Sequence, residues 1–164
     1  MNKPEYIIVH HSGGTDANPL ADTSNHTMEM VNAWHKAKGW DGIGYNWFIE
    51  KDGKLVKGRD ENKVGAHTIG YNDKSIGICL AGNFDATLPT AEQTETLKKL
   101  LIEKTAQYNI PKEKIVPHRT FASKTCYGRK LSDTWARDLI TITPKSVILK
   151  RLEELTKLVL ALKE

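Results

Sequence analysis

Two short, unbroken apolar runs constrain this chain more than anything else in it. Tyr6-Ile-Ile-Val9 and Ser75-Ile-Gly-Ile-Cys-Leu-Ala-Gly82 are rich in β-branched residues, too short for helices, and lack the polar alternation of a half-exposed strand. Such runs are strands buried on both faces, so the sheet they join needs a covering layer on each side. Helical spacings between and after them supply those layers. Strands alternating with helices make the chain α/β, a single domain with a central mixed sheet flanked by helices.

The remaining elements follow from punctuation. From His26 to Lys38 the residues Met30, Val31, Trp34 and Ala37 recur at helical spacing, with Thr23, Ser24 or Thr27 as cap and Gly39 as stop. This helix is expected to pack on the sheet. Ile43 to Glu50 reads as a strand, and Lys51-Asp-Gly-Lys54 turns it into a second one, Leu55 to Gly58. Arg59 to Asn72 is a long polar loop, a length that usually signals function. Thr90 and Gln93 form a capping box for a helix with Leu97, Leu100, Leu101 and Tyr108 on its buried stripe, ended by Pro111. Ile115-Val116 is a short strand, and a short helix runs from Ser132 or Asp133 to Leu139.

The tail is different in kind. Ile148, Leu152, Leu155, Val159 and Leu162 step by four and three, the seam of an amphipathic helix, which divides the chain into a catalytic domain at 1–141 and a tail at 142–164. That tail either packs on its own domain, self-associates or lies on a membrane surface. No run is long enough to span a bilayer. The segment before Tyr6 lacks a small-residue cleavage site, so it reads as the approach to a strand and not as a signal peptide. Synthesis in a reducing cytoplasm follows, where Cys79 and Cys126 are a free thiol or a metal ligand and not a disulfide. The net charge of +4 is scattered, and no nucleic-acid-binding signature accompanies it.

Histidines stand where the strands end: His10 and His11 after the first run, and His118 after Ile115-Val116. Cys126 follows His118 by eight residues, close enough for a loop to return it. Two imidazoles and a thiolate are the donor set of a zinc site that leaves one position for water, and strand ends are where open α/β sheets place their sites.

Taken together, the pieces resemble the zinc-dependent N-acetylmuramoyl-L-alanine amidases of the phage lysozyme and peptidoglycan recognition protein type. The matching residues are Ile8-Val-His-His-Ser12, Trp34-His-Lys36, Gly44-Tyr45, Lys51-Asp-Gly53, Gly58-Arg-Asp60, Val64-Gly-Ala-His67, Gly70-Tyr-Asn72, Ser75 to Leu80, and His118 with Lys124 and Cys126. They occur in family order over about residues 5 to 140. The resemblance implies that His10, His118 and Cys126 hold zinc, that Tyr45 and Lys124 complete the catalytic site, and that His67 and Asn72 line the substrate groove. It implies cleavage of the amide between N-acetylmuramic acid and L-alanine in peptidoglycan, as in a phage endolysin acting on the host wall. Adjacent strand residues face opposite ways, so only one of His10 and His11 can bind the ion. The family pattern selects His10, with His11 as the alternative.

Other assignments rest on residue type. Arg59 is a candidate for a muropeptide carboxylate, and His35 and His26 read as structural. Another branch of the family carries a glutamate base at the position of Cys79, a residue that here reads as a buried apolar side chain. Acid and base duties are thereby expected to move toward Tyr45 and Lys124. Two other readings stay open: a cytoplasmic wall-recycling amidase, and a non-lytic module that binds peptidoglycan or regulates a partner.

Overall fold

A computed structural model of the chain describes residues 3–15 and 17–140, together with Leu152 and Thr156. The elements in order are β1 (Tyr6–His11), α1 (Met28–Ala37), β2 (Trp47–Ile49), β3 (Leu55–Lys57), β4 (Ser75–Leu80), α2 (Ala91–Tyr108), β5 (Ile115–Pro117) and α3 (Trp135–Asp138). They build one five-stranded mixed sheet in the order β3-β2-β4-β1-β5. β1 runs parallel to β4 and β5, β2 runs parallel to β4, and the hairpin partner β3 is antiparallel. The two unbroken apolar runs are thus the two central strands, paired from Tyr6 with Ser75 to His11 with Leu80.

The two faces of this sheet are covered unequally. Ile7 and Val9 of β1, with Ile76, Ile78 and Leu80 of β4, meet Leu97, Leu100 and Leu101 of α2 in the main core. Each of those leucines contributes about 2 kcal/mol by leaving water. The capping box is present as read, with Thr90 and Gln93 bonding reciprocally and Asn109 ending the helix in the left-handed region at φ 54°. On the opposite face a smaller cluster gathers Val31, Ile43, Phe48, Cys79 and Ala81. Because side chains alternate along a strand, Ile8 and His10 point to this thinner side and His11 to the other.

Three expectations are revised. α1 starts at Thr27, one of the three candidate caps, but only Val31 of its apolar positions is buried; Met30 and Trp34 are more than 40% exposed. The second strand is three residues long, because the backbone at Ile43 and Gly44 is satisfied by α1 side chains instead of a ladder. Asn32 Oδ1 accepts from Ile43 N–H at 2.8 Å, and His35 Nδ1 accepts from Gly44 N–H at 3.0 Å, which makes His35 structural as read. Finally, α2 buries Gln93 and Lys104, two polar residues that its leucine stripe does not announce. The domain boundary at 141/142 and the seam from Ile148 to Leu162 lie outside the described residues, apart from Leu152. Among the described residues no helix is long and apolar enough to cross a membrane.

Candidate metal centre and active site

His10, His118 and Cys126 converge on the thinly covered side of the sheet. Their ligand atoms all lie within 4.8 Å of one another. Cys126 Sγ stands 3.7 Å from His10 Nδ1, and the His10 and His118 rings are 4.5 Å apart. Donors held at 2.0–2.3 Å around a tetrahedral ion sit about 3.5 Å from one another, so this set closes on a single ion by side-chain adjustment alone. The chemistry of two imidazoles and a thiol fits zinc and leaves one position open. Both cysteines are free thiols.

His11 is excluded from this cluster by geometry. Its Nδ1 accepts the Phe84 N–H at 2.9 Å on the far face, and its ring lies against Phe84. Burial keeps His11 neutral, with a pKa lowered to about 4. His10 is likewise held well below the usual imidazole range, by burial first and then by His67 and His118. Burial drives the Cys126 thiol up to about 12. A divalent cation is the charge that would reverse this, since a coordinating thiol gives up its proton.

Two residues outside the expected set hold Cys126 in place. Arg119 donates to the carbonyls of Gly128 at 2.7 Å, Leu131 at 2.7 Å and Thr125 at 3.3 Å, and pairs with Asp133 at 2.6 Å. On the other side, Asp85 accepts from the Thr125 hydroxyl at 2.6 Å and from Arg129 N–H at 2.7 Å. The loop that carries Cys126 is therefore riveted from both flanks. The Asp85 rivet has no local sequence signal, because its partners lie 40 and 44 residues away, whereas Arg119 holds the loop through partners no more than 14 residues from it.

Tyr45 lies beside the cluster, its ring 5.0 Å from that of His10. Burial, followed by the neighbouring Cys79 and Cys126 thiols, pushes its phenol well above the ordinary tyrosine range. Cys79 is fully buried opposite His10 on β4, and its thiol too is pushed well up by burial. Both therefore hold their protons near neutral pH. Lys124 is exposed beside His118, close enough to lower the His118 pKa behind the larger effect of burial.

The three groove candidates serve the protein itself. Asn72 Oδ1 accepts from the His67 and Thr68 N–H groups at 2.8 and 2.7 Å, pinning the long loop. Arg59 spends its guanidinium on the Ile43 carbonyl at 3.0 Å, the Val64 carbonyl at 3.0 Å and Asp41. His67 is half-buried, with Nδ1 3.2 Å from His10 Nε2 and Nε2 3.4 Å from Ser75 Oγ. Burial, followed by His118 and Arg59, lowers its pKa to about 3. A hollow of about 360 Å³ beside Arg59, lined by Asn32, Asp41, Ile43 and Lys63, contains none of the cluster residues. The convergent donors, and not the hollow beside Arg59, mark the chemistry.

Residues 1–131 match the N-acetylmuramoyl-L-alanine amidase family. The chain belongs to that family. The endolysin of Enterobacteria phage T3 is 36% identical over 144 residues, spanning 84% of this chain and 89% of its own. The endolysin of Klebsiella phage KP32 is 36% identical over 70% of this chain and 78% of its own. Among solved structures, the N-acetylmuramoyl-L-alanine amidase LysC of Clostridium intestinale superposes with a TM-score of 0.75 at 30% identity, over 87% of this chain and 88% of that one. As an amidase family member the chain is a peptidoglycan hydrolase, and the expected fold and class both stand.

Proposed function

We propose that this amidase is a zinc-dependent endolysin that cleaves the amide between N-acetylmuramic acid and L-alanine, with His10, His118 and Cys126 as ligands. The observation that carries the reading is the convergence of exactly these three donors within 4.8 Å beside Tyr45. Zinc bound there supplies a Lewis acid for the amide carbonyl and an acidified water. The protein's own part is to orient the substrate and stabilise charge. The protonated Tyr45 hydroxyl donates a hydrogen bond to the oxyanion as it develops, and the Lys124 ammonium adds a positive charge at the same edge. His67, Asn72 and Arg59 shape the long loop along the muramyl-peptide groove.

The decisive experiment digests purified peptidoglycan before and after chelation. New L-alanine amino termini that vanish with the metal and return on adding zinc are the expected result. New reducing ends, or cleavage indifferent to chelation, would overturn it. Wall binding without cleavage would establish the non-lytic module instead. Tyr45→Phe is expected to lower kcat about 10²–10³-fold while zinc content stays at the wild-type level. Full activity in that variant would remove Tyr45 from the mechanism.

A further inference from the structure

The ring of His67 occupies a slot that the backbone leaves open for it. A Cβ on Gly77, in the middle of β4, would stand 2.5 Å from that ring, and one on Gly65 would stand 2.7 Å from it. Both glycines lack the side chain that would displace the imidazole. Gly77 sits in a fully buried strand, where a β-branched residue would otherwise be favoured. The slot holds the ring at a place where each of its nitrogens meets a protein atom.

Counting protons along this line favours one direction. The Ser75 hydroxyl donates to the Tyr71 carbonyl at 2.6 Å, because a carbonyl only accepts. Ser75 Oγ is left as an acceptor, so the neutral His67 carries its proton on Nε2, 3.4 Å away. His67 Nδ1 is then a bare lone pair, 3.2 Å from His10 Nε2 and 3.1 Å from the Thr68 hydroxyl. Against that acceptor, which it shares with the Thr68 hydroxyl, His10 would donate from Nε2 and keep the lone pair of Nδ1, the atom that faces Cys126 at 3.7 Å.

We infer that His67 is a positioning residue, held between Gly65 and Gly77, that sets the tautomer of His10 so that Nδ1 is presented to the metal. This rests on the zinc reading above. It also gives His67 a task other than contact with substrate, since both ring nitrogens are already engaged within the protein. Hydrogen bonds to the second nitrogen of a ligating histidine orient the ring and raise its basicity, and losing one typically weakens metal binding by 10–100-fold.

The test compares His67→Leu with His67→Asn, two side chains of nearly equal shape that both fit the slot. Asparagine keeps an acceptor near the place of Nδ1, and leucine does not. Zinc affinity is measured by competition with a chromophoric chelator, and the His10 tautomer by ¹⁵N imidazole NMR on the metal-free protein. The wild type is expected to show His10 protonated at Nε2. His67→Leu is expected to lose that preference and bind zinc about 10–100-fold more weakly, with His67→Asn recovering most of the loss. Gly77→Ala, which suits strand backbone but crowds the ring, should resemble His67→Leu. Wild-type affinity and tautomer in His67→Leu would overturn the inference. A wild type that binds no zinc would end the metal reading, and the tautomer measurement would still judge the role of His67.

Discussion

Cys126→Ser is expected to abolish both tightly held zinc and amide hydrolysis while the fold persists. Serine differs from cysteine by one atom but does not ionise near neutral pH, so the thiolate that completes the donor set is lost. Zinc sites in proteins are worth on the order of 10 kcal/mol, so one of three ligands accounts for roughly 3 kcal/mol, or about a hundredfold in affinity. The fold should survive because Cys126 is only packed against the edge of the main core, and Arg119 and Asp85 hold its loop through other residues. Circular dichroism, zinc retention on dialysis against a chelator, and clearing of wall suspensions read the three consequences separately. Wild-type clearing by this variant would falsify the assignment of the metal centre.

Glu61→Ala should destabilise the protein by roughly 1–3 kcal/mol, the largest stability effect we expect from a single polar residue here. Lys104 on α2 is almost fully buried, and its ammonium lies 3.1 Å from Glu61, 2.9 Å from Glu103 and 2.9 Å from Gln107. Burial works against this charge, and the carboxylates of Glu103 and Glu61 override it, so the Lys104 pKa is raised. Glu61 also accepts from the Tyr108 hydroxyl at 2.7 Å and from the Trp47 indole. Truncating it removes one of the two carboxylates around the buried Lys104 ammonium, which keeps Glu103 and Gln107, and takes the shared acceptor from the half-buried Trp47 and Tyr108. The double variant Glu61→Leu with Lys104→Met should recover most of the loss, because an apolar pair of similar volume has no charge to desolvate. Denaturant titration reads both; a Glu61→Ala midpoint equal to wild type would show that the network contributes nothing. Glu61 opens the loop that later carries His67, so this anchor links α2 to the site.

Local patterns made part of this molecule readable. The two central strands, the capping box of α2, the hairpin at Asp52-Gly53 and the placing of histidines at strand ends all follow from neighbours within a few residues. The choice between His10 and His11 needed one further fact, which face of the sheet is thinly covered, and periodicity alone says only that the two differ. α1 shows the limit of such patterns: its spacing is helical, yet Met30 and Trp34 face water, because only Val31 reaches the sheet.

By itself, then, the sequence determined that this is an α/β amidase and pointed to His10, His118 and Cys126 as one candidate donor set, since alternation, capping and ordered motifs are properties of adjacent residues. Only the tertiary structure decided how those donors are held. Arg119 and Asp85 clamp Cys126, Lys104 is buried with Glu61, and the slot between Gly65 and Gly77 seats His67 against His10. Asp85 with Thr125, Glu61 with Lys104 and His67 with His10 join residues far apart in the chain, and the energy of a buried hydrogen bond or ion pair depends on what surrounds it. No local pattern carries that information.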